Sequence, residues 1–499
     1  MEIEDAPNSS CKESSSLNKP EQSIIKGSIA AKNITLQSLY SIFGYLAEAI
    51  MKTVPIFLVA KYSDRDHLAA LGLGNALLLV IIETFTYGFS TGLTKLVSVS
   101  YGNMNYYTVG MHLNRALVAN TGFFIVQLCI IFIGCSYLHG YPNLITIFKV
   151  ESEVEQLSYK YMIIMLFATF GKVQFETIRS YLAGMNIYWV HTGILCIAAV
   201  IQVIATYFLV VKLDAGLIGA AIASNIAYLL AIFIIFRYLK AKRYSMLHPN
   251  TWHRFNEDSM KFLGQYIRQG WKIAFMNTIS VTSAKAILLY ASWIDQKHFC
   301  AYIIITACTS ILIQIPLGIG TASHNLVSLA LQYNHFSKAR KYTWISIMGG
   351  VACGCLCAIL FYIFRELIAH LNTSETEIFK TFIALSPYVL LHQILDFTQT
   401  VQFGVLRGLG STIFTVAGSS IFMVFIGIPL PYYFCFVLRD EDFRGALIGQ
   451  FIAILIIVLV CSVKILLKMQ KLRYYEKNSS RIASSSNNDS YMLLPKITI

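Results

Sequence analysis

Three stretches of this chain, 194–210, 220–236 and 448–463, contain no charged residue at all. Apolar runs of that length suit helices that cross a bilayer, each of which needs about 20 residues. Charged residues make up 13% of the 499 and apolar residues 56%. Mean hydropathy is +0.60, whereas an ordinary soluble domain carries roughly 25% charge. A water-soluble fold cannot hide that much apolar surface, so an all-α polytopic membrane protein is expected. About twelve spans can be drawn, near 36–60, 68–98, 111–138, 156–183, 188–211, 216–239, 264–293, 299–329, 340–365, 377–405, 411–437 and 444–469.

The net charge of +13 raises the question of nucleic acid. The basic residues are spread over loops and tails instead of one soluble face, a pattern that fixes membrane orientation. An even number of spans puts both chain ends on one side. That side also carries Lys240, Lys242, Arg243, Arg254, Lys261 and Arg268, then Lys338, Arg340 and Lys341. The opposite loops hold Asp64 and Asp66, Glu151 to Glu155, and Asp440 to Asp442. Both termini are therefore expected in the cytosol. Residues 1–35 read as a disordered tail, 36–240 as an N-lobe, 241–263 as a basic cytosolic linker, 264–470 as a C-lobe and 471–499 as a second tail. The sequon Asn372-Thr-Ser falls in an expected external loop, where glycosylation would support that topology. Tyr491-Met-Leu-Leu has the form of a tyrosine-based sorting signal.

Eleven cysteines show no paired CxxC or Cys/His spacing, which speaks against a zinc site or a disulfide scaffold. No P-loop, HExxH or GxSxG pattern is present. The chain thus reads as neither an enzyme nor an ATP-driven pump, and it needs no cofactor.

It does repeat itself. Gly88-Phe-Ser-Thr-Gly-Leu-Thr-Lys-Leu-Val-Ser98 aligns with Gly318-Ile-Gly-Thr-Ala-Ser-His-Asn-Leu-Val-Ser328, and Gly216-Leu-Ile-Gly219 aligns with Ala446-Leu-Ile-Gly449, both at an offset of 230. A shared offset at equivalent helix ends points to duplication. The copies have the same orientation, so two pseudo-symmetric six-helix lobes are expected, an arrangement that suits alternating access.

The ordered stretches Leu68-Ala-Ala-Leu-Gly-Leu-Gly-Asn75, Thr91 to Gly102, Leu113-Asn-Arg-Ala116, Ile315-Pro-Leu-Gly318 and Gly404-Val-Leu-Arg-Gly-Leu-Gly410 resemble those of the multidrug and toxic compound extrusion (MATE) transporters, nearest their eukaryotic branch. Asp396 and Gln399 match an acidic and a polar position of that family's tenth helix. The resemblance covers roughly 36–470 and implies a secondary-active exporter. In the seventh helix many eukaryotic relatives carry two glutamates; residues 281–286 here read Val, Thr, Ser, Ala, Lys, Ala.

A charge in mid-membrane costs about 2.5–3.5 kcal/mol on insertion scales and is a functional candidate by default. Asp396 is the foremost: sheltered from water, it can load and unload a proton as its cavity changes sides. Glu48 and Lys52 have i,i+4 spacing, so they either neutralise one another or take part in ion coupling. Glu83 has no partner in sequence, although Tyr87 lies one turn away. Lys285 could snorkel outward, pair with Asp396 or touch an anionic solute. His392, one turn before Asp396, could share its proton or simply pack. Gln174, Glu176 and Arg179 read as solvated or interfacial.

The resulting expectation is a monomeric antiporter in a lipid bilayer, of the plasma membrane or an endomembrane such as a vacuole. It would exchange a proton, or alternatively sodium, for a small organic solute and would bind no nucleic acid. A flippase for lipid-linked precursors and a non-transporting scaffold or sensor are the alternatives.

Overall fold

The structure, a computed structural model, describes residues 27–134, 144–185, 187–242, 251–252, 261–332, 335–373, 375–412, 414–438 and 442–485. Helices form almost all of it, and no strand occurs among the described residues. Twelve long helices succeed one another: α1 Gly27–Tyr62, α2 Arg65–Tyr101, α3 Tyr106–Gly134, α4 Ser152–Gly184, α5 Trp189–Lys212, α6 Gly216–Lys242, α7 Leu263–Ile294, α8 Gln296–Leu331, α9 Phe336–Asn372, α10 Thr376–Gly408, α11 Phe414–Val437 and α12 Phe443–Ser485.

Eleven of these are long and apolar enough to cross a membrane. The remaining one is α4, whose 33 residues span as far as its neighbours. It departs from them because Lys172, Glu176 and Arg179 share one of its faces at i, i+4, i+7 spacing. The outer surface is apolar, with Ile133, Phe167, Met348 and Phe425 all strongly exposed, as lipid requires and water does not.

The N-lobe comprises α1 to α6 and the C-lobe α7 to α12. In the first, α2 packs on α3 and α4, α4 on α6, and α5 on α1 and α6; in the second, α8 packs on α9 and α10, and α10 on α12. The lobes join chiefly along two seams, α1 against α8 and α2 against α7. Lipid offers little hydrophobic drive for helices to associate, so close approach through small residues does much of the work. Gly88 lies directly on the backbone of Ala274 across the α2–α7 seam, and Gly318 lies against the Ser38 carbonyl across the α1–α8 seam.

Irregular turns have local causes. Pro316 removes a ladder bond, and the regular winding of α8 is interrupted at Ile313. In α11, which carries Pro429 and Pro431, the Ile428 carbonyl receives only a 3.4 Å bond from Tyr432 N and takes a second from Tyr290 Oη at 3.0 Å. Residues 79–83 of α2 wind as a wide π turn ending at Glu83, a distortion common where a side chain must be re-aimed.

Three expectations change. α1 begins at Gly27, earlier than the expected start at 36, because Ile34 is buried in the C-lobe beside Leu326, Phe336 and Tyr342. α12 runs helical to Ser485, past the expected tail boundary at 471; Met469 and Leu472 anchor it in that same cluster. Asn372 is only 7% exposed and donates to the Ile368 carbonyl at 2.7 Å, so the folded sequon does not present its amide to solvent. Residues 1–26, 486–499 and most of the basic linker lie outside the described residues, as does the Tyr491 motif.

A side chain added at Gly404 would strike the backbone of Gly320, whereas one at Gly122 would meet nothing within 4 Å. Gly404→Ala is expected to destabilise the α8–α10 contact by about 1–3 kcal/mol. Gly122→Ala, measured alongside by thermal unfolding in detergent, should not lower the melting temperature.

Candidate functional site

Two polar clusters lie inside the bundle, one in each lobe. The N-lobe cluster is an ion network. Glu48 on α1 accepts from Tyr87 Oη at 2.7 Å and pairs with Lys52 Nζ at 3.0 Å. Glu83, delivered by the π turn of α2, pairs tightly with Lys172 of α4 and lies 3.7 Å from Lys52. Lys172 is also 3.9 Å from Glu48, and Arg179 is 4.0 Å from it. Arg179 holds Glu176 at 2.7 Å and faces the Tyr45 ring. Three helices are therefore tied together by charge within the span.

Neighbouring polar groups set the α4 face that carries three of these residues. Asn225 of α6 donates to the Ile164 carbonyl at 2.8 Å and accepts from Ala168 N at 2.6 Å, clasping the α4 backbone one turn before Lys172. Asn120 of α3 donates to Thr177 at 2.7 Å, and Gln174 donates to Thr121 at 2.9 Å. A buried polar network that is well satisfied rigidifies its surroundings.

The C-lobe cluster is smaller. Asp396 of α10 lies 3.2 Å from His392 Nδ1. The pair opens onto a cavity of about 40 Å³, lined also by Tyr302, Thr306, Thr309 and Gln450. A cavity of that size takes water-sized occupants. The other face of the imidazole, Nε2, is buried with no hydrogen-bond partner among the described residues.

The structure thus brings the sequence candidates together in two groups. Glu48 and Glu83 meet in the N-lobe, and Asp396 and His392 meet in the C-lobe. Gln399 is buried one turn beyond Asp396 and does not line its cavity. Lys285 does not reach Asp396, and it does not snorkel outward: its charged neighbours are Lys52 and Glu83. Gln174, Glu176 and Arg179 are not solvated, because Gln174 and Glu176 are under 10% exposed and the Arg179 side chain is 14% exposed. Sequence reasoning missed Lys172, the cation that joins Glu83 to Glu48. Its signal was the 172, 176, 179 spacing, one charged stripe on an otherwise membrane-length helix.

The model of the MatE family matches this chain twice, over residues 41–208 and 273–433. The chain belongs to the MatE family. The two matches fall in the two lobes, as a duplicated transporter requires. Among similar proteins, an uncharacterized transporter of Schizosaccharomyces pombe is 25% identical over 79% of this chain and 71% of its own length. Multidrug and toxin extrusion protein 1 of Xenopus tropicalis is 24% identical over 79% of this chain and 68% of its own length. The crystal structure of the eukaryotic MATE transporter AtDTX14 matches with a TM-score of 0.74 at 18% identity, covering 90% of this chain and 99% of that one. The MatE chain is a multi-pass membrane transporter and not an enzyme.

Removing one partner of a buried pair typically costs about 3–5 kcal/mol, while removing both together is far milder. Lys172→Met alone is therefore expected to destabilise the MatE chain by that order. Lys172→Met with Glu83→Gln should recover much of the loss, as read from unfolding midpoints of the single and double variants.

Proposed function

We propose that this MatE protein is a proton-coupled exporter of a small organic solute, working by alternating access of the two lobes. The observation that carries the proposal is the Asp396–His392 pair, a carboxylate and an imidazole 3.2 Å apart on a water-sized cavity within the span. A carboxylate held there exchanges a proton when the cavity opens to either side, and the histidine offers a second site for the same proton. The size of the cavity separates ion traffic from the larger solute. The name of the Xenopus relative, a multidrug and toxin extrusion protein, supports export as the direction.

The topology proposed with it places both chain ends in the cytosol. The head of α1 and the tail of α12 share one cluster, and basic loops lie on that side. The lobe limits proposed with it are about 36–240 and 264–470, and the two family matches, over 41–208 and 273–433, fall inside them. The lobes touch at both ends. At the end bearing the α1–α2 loop, Arg65 pairs with Glu375 of the other lobe. Gln296 donates to Asp66 at 2.6 Å, and Trp293 donates to the Ile147 carbonyl at 2.6 Å. We read these ties as an outer latch.

Asp396→Asn should abolish solute flux driven by a pH gradient in proteoliposomes, by tenfold or more, while leaving solute binding in detergent in place. Undiminished gradient-driven flux would remove Asp396 from the coupling role.

A partly exposed ion pair such as Arg65–Glu375 contributes about 0.2–1 kcal/mol. Glu375→Gln should therefore shift the lobes towards outward opening by up to roughly fivefold. Cys300 reports this, because it is buried and its Sγ lies 3.8 Å from the Arg65 carbonyl. Its labelling by an impermeant maleimide, corrected with Cys300→Ser, should rise in proportion; an unchanged rate would mean the pair is no latch.

A further inference from the structure

The N-lobe network is balanced in itself. Glu48, Glu83 and Glu176 supply three negative charges, and Lys52, Lys172 and Arg179 supply three positive ones. Every carboxylate already holds a cation: Glu48 at 3.0 Å from Lys52, Glu176 at 2.7 Å from Arg179, and Glu83 in its contact with Lys172. Lys285 is a fourth cation and comes from the other lobe. Its charged neighbours are Lys52 and Glu83, yet among the described residues none forms an ion pair or hydrogen bond with its ammonium. Lys52 differs from the rest of the network in its exposure. Its side chain is 40% exposed, although Glu48, Glu83, Tyr87, Tyr228 and Lys285 surround it from four helices. A side chain enclosed by protein yet open to that extent faces the space between the lobes, not lipid.

From this arrangement we infer that Lys285 and Lys52 form an anion site at the seam of the two lobes, and that the exported solute is an organic carboxylate or sulfonate. An entering organic cation would find no free carboxylate in the network. It would have to displace an ammonium that the chain itself holds in place, and would do so against the charge of Lys285. The Asp396 cavity, at about 40 Å³, is too small to receive it instead. An anion meets the opposite situation, since one negative charge brings four cations and three carboxylates to neutrality. It would also be gripped by one lysine from each lobe, so parting the lobes would release it. The inference deepens the exporter reading by naming its substrate class; binding at the site does not depend on transport.

The test is equilibrium binding to the purified full-length protein in detergent. The probes are p-aminohippurate and benzenesulfonate as anions and tetraethylammonium as cation. The expected result is saturable anion binding that tetraethylammonium does not displace. Lys285→Gln should weaken it by about tenfold to a hundredfold, the loss of one charge-assisted contact, and Lys285→Arg should retain most of it. Lys52→Gln provides a second variant in case Lys285→Gln does not fold, and should weaken the anions alike. Binding of tetraethylammonium without either anion overturns the inference, as does anion binding that is indifferent to both lysines. Flux in proteoliposomes separates the two proposals. Anion binding without gradient-driven anion flux would leave the site standing and remove the exporter. Gradient-driven flux of tetraethylammonium alone would uphold the exporter and remove the anion site.

Discussion

The contact between Glu83 and Lys172 sets the terms for much of this molecule. In a medium without water an isolated charge is expensive, and a paired one remains so unless its geometry is good. The chain meets that constraint by sharing. Lys172 serves Glu83 and approaches Glu48, Lys52 serves Glu48 and approaches Glu83, and Arg179 closes the chain through Glu176. These contacts bind α1, α2 and α4 where apolar packing alone would let them slide, and the clasp of Asn225 on α4 keeps the charged face turned inward.

The two lobes share a plan but not a chemistry. Both copies spend glycines at the seams, at Gly88 in one and Gly318 in the other, so the duplicated backbone still meets itself in equivalent places. Their interiors have diverged. One holds six interlocked charges, which resist opening because every member but Glu176 has two or more partners. The other holds a carboxylate beside a histidine on a small cavity. A half locked by ion pairs and a half built around one titratable pair suit the coupling proposed above.

Much of the fold was legible from hydropathy alone, because uncharged runs such as 448–463 leave few alternatives to a spanning helix. The offset of 230 between Gly88 and Gly318 exposed the duplication, since both stretches keep the small residues that the seams demand. Charge pairing was legible only where it is local: Glu48 with Lys52, and His392 with Asp396, both one turn apart. Glu83 with Lys172 was not, because 89 positions of sequence separate partners that two packed helices bring together. Lys285 was misjudged for a related reason. A long side chain can point to either lobe, and the choice rests on the packing of α2 against α7, which no spacing rule contains. The solvated reading of Glu176 and Arg179 failed because it treated charge as a sign of exposure, whereas in a membrane bundle the exposed surface is the apolar one.

α1 belongs to both halves. Its head is sunk in the C-lobe through Ile34, and its middle carries Glu48 and Lys52 into the N-lobe network. A rod clamped at two bodies cannot stay unstrained when those bodies rotate against each other. Rocking of the lobes must therefore bend α1 or drag it lengthwise, and either motion pulls on the lysine that faces the central space. Mechanical load at the root of this helix and electrostatics at mid-depth are, in this architecture, one degree of freedom.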